Sequence, residues 1–248
     1  MPTTPTGFGL IIVGGEILDG RRPDSHFAFA RQLLEKNHLV LRYCLVLPDD
    51  FEIIESHILW SFARPEPFFC CGGIGATPDD LTRQAAAAAA GVPLEFHPEG
   101  VKIITSRFGK GVTEARLRLV EFPKGAALVP NPFNQVPGFA IRNGYFLPGF
   151  PEMAQPMMAW VLATHYGPGA ERSSARLLLP GAREGDLVPL MEEFVPAHPG
   201  LSFSSLPRFT DTGGTEVELG LSGLTPSVQA GLSDLKAMLD KARVKWVE

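Results

Sequence analysis

The residue types able to do chemistry are densest between Cys70 and Thr82, where Gly72, Gly73 and Gly75 precede Thr77, Asp79, Asp80 and Thr82. Glycines placed after an apolar run and before a helix let several main-chain N–H groups and the helix dipole converge on one spot. Such a spot suits an anion, most often a phosphate. The stretch is not a Walker loop, since no Lys-Ser/Thr pair follows the glycines, and it is not G-x-G-x-x-G. Asp79 and Asp80 would repel a bare phosphate. A divalent cation between them removes the conflict, and Mg²⁺ binds through one or two carboxylates plus substrate phosphates. The same residues also read as a helix start, with Thr77 at the N-cap, Pro78 at N1 and Asp80 completing a capping box. Site and cap both remain open on spacing alone.

These residues need a scaffold, and the flanking pattern supplies one. Pro67-Phe68-Phe69-Cys70-Cys71 reads as the end of a buried strand, and the helix after the glycines runs through Ala85 to Ala90 until Gly91 stops it. Upstream, residues 9–13 read as a short buried strand ending in Gly14-Gly15, followed by Glu16. A helix starts near Asp24-Ser25 with Phe27, Ala30, Leu33 and Leu34 on one face. Residues 40–47 form the next strand, ended by Pro48-Asp49-Asp50. Asp49 and Glu52 fit a capping box for a helix over 51–63 that turns Ile54 and Ile58 inward. This β-α-β-α-β-α order calls for a three-layer, doubly wound, mostly parallel sheet with helices on both faces. Ligands of such sheets lie outside the carboxyl ends of the strands. Gly14-Gly15-Glu16, Pro48-Asp49-Asp50 and the Gly72 turn all fall there.

Between 92 and 124 the pattern is less regular. Residues 101–104 and 114–120 read as strands of alternating sides, Phe108-Gly109-Lys110-Gly111 as a flexible turn, and Arg107, Lys110 and Arg116 as solvent-facing. Residues 126–129 read as a strand running into Pro130-Asn131-Pro132. Tyr145-Phe146-Leu147 repeats that logic into Pro148-Gly149-Phe150-Pro151, and Glu152-Met153 opens the next helix. Tyr166-Gly167-Pro168-Gly169 marks a boundary, giving an α/β domain over 1–168 and a second domain over 169–248. In the latter, strands at 175–179, 201–206 and 216–221 and helices at 184–195 and 226–242 give a β-α-β-β-α order, as in a small α+β domain.

The composition excludes several classes. With 45% hydrophobic and 20% charged residues and a net charge of −5, the 248-residue chain reads as soluble and globular. No basic cluster suggests nucleic acid, and no apolar stretch is long enough for a bilayer. Residues 1–6 read as a loose tail without the charged and apolar regions of a signal peptide, which fits a cytoplasmic protein. Cys44, Cys70 and Cys71 lie in strand-like runs and read as reduced core residues, and no His/Cys spacing suggests zinc.

Gly-Gly-x-Gly-x-Thr-x-Asp-Asp-x-Thr, as it stands at 72–82, resembles the signature of the molybdopterin-binding fold shared by the MoaB/Mog proteins and the amino-terminal domain of the CinA (competence/damage-inducible) family, with Ile74 where a Thr is usual. Gly14 to Gly20 resembles that family's G-x-E-[IL]-L-x-G, and Asp24-Ser25-His26 its D-x-N, with His26 in place of Asn. Asn131 to Gly138 resembles N-P-x-G-T-A-P-G, with Asn134 and Gln135 in place of Gly and Thr. Leu147-Pro148-Gly149 to Met153 resembles L-P-G-x-P-x-E-M, one residue shorter before Glu152.

The resemblance implies a ligand pocket drawing on Gly14, Glu16, Asp24, Gly72, Gly73, Gly75, Ala76, Thr77, Thr82, Asn131, Pro137, Gly138, Pro148 and Gly149. It places Asp49 near ligand phosphates and makes Asp80, with Asp49, the catalytic pair that holds Mg²⁺ or another divalent cation (Mn²⁺, Co²⁺). The implied activity is hydrolysis of a nucleotide diphosphate such as ADP-ribose. Adenylyl transfer to molybdopterin, or binding of a pterin or nucleotide without turnover, are the alternatives. The resemblance further implies a small phosphorylated nucleotide or pterin as partner, and a homo-oligomer. It extends into the second domain, while the deamidase domain of full CinA proteins has no counterpart.

Overall fold

A computed structural model describes residues 5, 7–209 and 214–248. Apart from Pro5, the tail at residues 1–6 lies outside the described residues. The chain divides between Gly169 and Ala170 into two compact units.

The first unit opens with β1 (Gly7–Val13), a single helical turn α1 (Gly15–Leu18) and α2 (His26–Lys36). It continues through β2 (Val40–Leu47), α3 (Phe51–Phe62), β3 (Phe68–Cys71) and α4 (Thr82–Ala90). A short ribbon of β4 (Leu94–Phe96) with β5 (Glu121–Pro123) brackets α5 (Pro98–Phe108) and α6 (Glu114–Leu117). Then come β6 (Ala127–Val129), β7 (Gly138–Ile141), β8 (Gly144–Leu147) and α7 (Pro151–His165). The main sheet runs β2-β1-β3-β8-β7-β6. Its first four strands pair in parallel, and β7 and β6 add on antiparallel.

Alternation along the strands builds the three layers. In β1, Ile11 and Val13 face one core, with Ile54 and Ile58 of α3 and Ala85, Ala86 and Ala89 of α4. Phe8, Leu10 and Ile12 face the other, with Ala30 and Leu34 of α2 and Ala154, Met157, Met158 and Val161 of α7. The same split separates Phe68 and Cys70 from Phe69 and Cys71 in β3. Phe146 of β8 lies nearly parallel to Phe139 of β7, with ring centroids 4.6 Å apart. Each such ring buries a large apolar area and adds about 1 kcal/mol of specific contact energy.

Four local expectations are corrected. Residues 77–80 form a turn and the helix starts only at Thr82, because Asp80 accepts the Thr77 N–H while its own N–H returns to the Thr77 carbonyl. The cap of α3 is Asp50, which accepts the Ile53 N–H; Asp49 is engaged elsewhere. Phe27 is exposed on α2, whose buried face is His26, Ala30 and Leu34. Residues 101–104 and 114–120 are helical, because Val101, Ile104 and Phe108 meet the core at helical spacing and the Thr113 hydroxyl caps α6. Arg107, Lys110 and Arg116 are exposed there.

The second unit is a three-stranded antiparallel sheet, β10-β11-β9, made of β9 (Arg172–Pro180), β10 (Ser202–Phe209) and β11 (Thr215–Leu224). α8 (Glu184–Ala197) and α9 (Thr225–Lys241) complete a core of its own around Leu177, Leu179, Phe194, Leu219 and Leu235.

Candidate functional site

Because β1, β2, β3 and β8 run in parallel, the loops that leave their carboxyl ends lie along one edge of the sheet. Chain order there switches sides of β1, with β2 on one flank and β3 on the other, and such switch points open a crevice. The Gly72 N–H extends the ladder to the Leu147 carbonyl, and Gly149 lies so close that its missing Cβ would stand 3.3 Å from the Gly72 Cα. The loops after β3 and β8 therefore form adjoining walls.

Those walls enclose a cavity of about 450 Å³. Gly73, Ile74, Gly75, Ala76, Thr77 and Asp80 line one side, Pro148, Gly149, Phe150 and Met153 another, and Asn131, Asn134, Val136, Pro137 and Leu119 the remainder. Its lining is chiefly apolar, with few polar groups, the usual make-up of a small-molecule site.

The main chain of the glycine turn stands among those polar groups, beside the side chains of Thr77, Asp80, Asn131 and Asn134. The amides of Gly72 and Thr77 are spent on the Leu147 carbonyl and the Asp80 carboxylate. Among the described residues, the four amides between them, of Gly73, Ile74, Gly75 and Ala76, donate to no protein acceptor. Two anchors set their direction. The Thr82 N–H holds the Gly73 carbonyl at 2.9 Å, and buried Arg83 holds the Gly75 carbonyl at 2.7 Å. All peptide bonds described are trans, so each anchored carbonyl turns the following N–H, of Ile74 and Ala76, away from α4.

Glycine is required here for stated reasons. Gly73 has a left-handed φ of 67°, and its missing Cβ would lie 2.3 Å from the Thr82 hydroxyl. A Cβ on Gly75 would lie 2.4 Å from the Asp80 carboxylate.

Arg83 escaped the sequence reading. It sits one residue inside an alanine-rich helix yet is only 3% exposed. Its guanidinium donates to the carbonyls of Gly75, Arg118 and Glu121, with the Glu121 carboxylate 3.7 Å away. Burial pulls its pKa down, while Glu121 and Asp80 push it up. Arginine is the cation best suited to such a place, since its five donors can satisfy several carbonyls at once. Arg83 thus ties the glycine turn to residues 118–121 and places positive charge behind the free amides.

The acids are disposed differently from one another. Asp80 lines the cavity; its Oδ2 accepts the Thr77 N–H and hydroxyl, and Oδ1 has no hydrogen-bond donor among the described residues. Asp79 is exposed outside the lining, where hydrogen bonding, chiefly by Thr77, holds its carboxyl below the ordinary range. Asp49 does not line the cavity; it accepts the Gly15 N–H at 2.8 Å and so joins the loops after β1 and β2.

Of the other residues expected at the site, Thr77, Asn131, Pro137, Pro148 and Gly149 line the cavity. Glu16 and Asp24 line a separate cleft of about 30 Å³ that shares only Gly149 with it. The Asp24 carboxylate caps α2 through the amides of His26 and Phe27. Gly14 and Gly72 shape their loops without lining the cavity, and the Thr82 hydroxyl is buried beneath Gly73 without a partner. Gly138 lies in β7 outside the lining, where a Cβ would meet the Phe146 carbonyl at 2.3 Å. Asn131 donates to Asn134 Oδ1, which also accepts the Val136 N–H and so closes the 131–136 loop, while Asn134 Nδ2 donates to the Met153 sulfur.

Among the described residues no three His, Cys, Asp or Glu side chains cluster as a metal shell. A single lining carboxylate with one open oxygen still fits a hard cation that takes its other ligands from substrate phosphate and water.

A doubly wound sheet with a cavity walled by the glycine turn after β3 and the loop after β8 places the chain among the α/β proteins of open parallel sheet. Residues 9–166 match the family described as "Probable molybdopterin binding domain", and the chain belongs to that family. It is 28% identical over 247 residues to a Pyrobaculum calidifontis protein, covering 96% of this chain and 94% of that one. It is 34% identical over 200 residues to the CinA-like protein of Citrifermentans bemidjiense, covering 75% of this chain but 47% of that protein. The chain therefore spans about half the length of that CinA-like relative. The crystal structure of the protein CinA, "with unknown function", from Thermoplasma acidophilum superposes with a TM-score of 0.58 at 25% identity, over 63% of this chain and 97% of that one. Among the described residues no helix is long and apolar enough to cross a membrane.

Proposed function

We propose that this chain is a divalent-metal-dependent hydrolase of nucleotide diphosphates such as ADP-ribose. The observation that carries the reading is the run of four uncommitted amides, Gly73 to Ala76, in the wall of a cavity that also presents the Asp80 carboxylate. The amides of Gly73, Gly75 and Ala76 hold a phosphate oxygen, and preorganised donors of this kind gain strength in a site shielded from water. Asp80 holds the cation, and Asp49, on the loop after β2 and outside the cavity lining, is the second candidate ligand. When bound, Mg²⁺, Mn²⁺ or Co²⁺ supplies Lewis-acid polarisation of the phosphoryl oxygen and a more acidic water. The apolar remainder of the cavity, with Ile74, Leu119, Val136 and Met153, packs the nucleoside. Assembly as a homo-oligomer belongs to the same reading.

A second reading, a non-catalytic pterin- or nucleotide-binding protein, draws on a different observation. Among the described residues Asp80 is the only acid lining the cavity, and one of its oxygens is already engaged by Thr77. Adenylyl transfer to molybdopterin would require molybdopterin and ATP to be consumed together.

Incubation with ADP-ribose and each cation separates the readings. Release of AMP that is lost in Asp80→Ala supports hydrolysis. A raised melting temperature with ADP-ribose but no AMP supports binding alone.

A further inference from the structure

The first residue of α2, His26, is 4% exposed, and none of the chemistry above uses it. Its Nε2 lies 3.1 Å from the carbonyl oxygen of Gly149, a residue 123 positions away in the chain. A carbonyl can only accept, so Nε2 carries the proton, and Nδ1 is left buried without a partner. Gly149 is where the small cleft around His26 and the large cavity touch. The peptide that carries the Gly149 carbonyl also carries the Phe150 N–H, and in a trans peptide the two point in opposite directions.

Holding the carbonyl toward His26 therefore turns the Phe150 N–H away from it. Phe150 lines the cavity, and its amide donates to no protein acceptor among the described residues. Phe150 is also the N-cap of the 15-residue α7, which has no side-chain cap. The Phe150 carbonyl, in the next peptide plane, receives the amides of Met153 and Ala154, so the residue held through Gly149 also closes the first turn of the helix.

We propose that His26 is a positioning residue which, through Gly149, fixes the Phe150 amide and the start of α7 as a second anion-donor group facing the glycine turn. The site then grips an anion from two sides, Gly73–Ala76 on one and Phe150 on the other. This deepens the reading of the cavity given above, but its first test is independent of any ligand.

Two variants separate the hydrogen bond from the packing. His26→Phe keeps a ring-sized volume and removes the donor. His26→Gln keeps a donor at about the reach of Nε2. Amide hydrogen exchange on the free full-length chain is read at Met153 and Ala154. Exchange there is expected to quicken about three- to tenfold in H26F, the loss of one ordinary hydrogen bond, with α4 unchanged. In H26Q it stays within about twofold of wild type. Exchange in H26F equal to wild type, or raised equally in both variants, overturns the proposal.

ADP-ribose affinity with Mg²⁺, measured by calorimetry, is expected to fall by a similar factor in H26F and to recover in H26Q. Equal affinity in all three proteins overturns the role of Phe150 as a donor. A wild-type chain that binds no ADP-ribose sinks the hydrolase reading alone, since hydrogen exchange still decides for or against His26.

Discussion

Arg83 and Gly75 are joined by a hydrogen bond of 2.7 Å between a buried guanidinium and a main-chain carbonyl, so a charge that never meets the cavity sets the direction of an amide that lines it. Replacement by methionine keeps much of the volume and strands the carbonyls of Gly75, Arg118 and Glu121. Arg83→Met is expected to cost about 2–4 kcal/mol in urea unfolding of the first unit, from desolvated acceptors left unpaired. Arg83→Lys, with a single ammonium, recovers only part of that loss.

The glycines of the turn make a contrasting pair. Gly73→Ala forces a side chain onto a left-handed φ and against the Thr82 hydroxyl, with an expected cost of about 1–3 kcal/mol. Gly75→Ala carries no such backbone penalty and instead pushes the Asp80 carboxylate aside. It is expected to melt close to wild type while losing AMP release from ADP-ribose. Differential scanning calorimetry beside the AMP assay distinguishes the two patterns.

For Asp49, charge and hydrogen bond can be separated. Asp49→Ala removes the acceptor of the Gly15 N–H and is expected to cost about 1 kcal/mol, whereas Asp49→Asn keeps an acceptor and stays within about 0.5 kcal/mol of wild type. If Asp49 serves only as the clamp between the first two loops, D49N retains metal-dependent AMP release. Its loss in D49N, at unchanged stability, assigns Asp49 to the cation.

The thiols predict an alkaline limit. Burial pushes the Cys44 pKa from 9.0 up to about 11 and raises those of Cys70 and Cys71 as well. Above pH 9 the unfolded chain loses thiol protons that the folded chain keeps. The stabilisation is therefore complete below pH 9 and, for Cys44, drains away between pH 9 and 11. Urea midpoints taken from pH 8 to 11 check this, and Cys44→Ala should flatten the slope. At neutral pH, native protein should leave Cys70 and Cys71 unalkylated by iodoacetamide.

Much of the first unit was legible because its punctuation is chemical. Pro48-Asp49-Asp50 closes β2, Gly91 ends α4 in a left-handed conformation, and the glycines of 72–75 announce a turn that only small residues fit. The misreadings have physical causes. Glu-Ala-Arg-Leu-Arg-Leu-Val alternates like a strand, but the Thr113 cap and the core contacts of Leu117 and Leu119 make it helical. The 101–108 helix had a usable signal in the spacing of Val101, Ile104 and Phe108 and in His97, whose ring accepts the Gly100 N–H. Capping by Asp50 in place of Asp49 is a one-residue choice that spacing does not decide, since both acids precede the same helix. Arg83 had no local signal; its carbonyl partners lie 8, 35 and 38 residues away.

The cavity offers a ligand peptide nitrogens where many sites offer lysines or histidines. Such donors have no protonation state to lose between acid and alkali, and electrophiles that label side chains leave them untouched. Variation in the side chains at 74 and 76 leaves those donors in place. Two relatives can thus share a grip on the same anion while looking unrelated at every position a side-chain comparison would score.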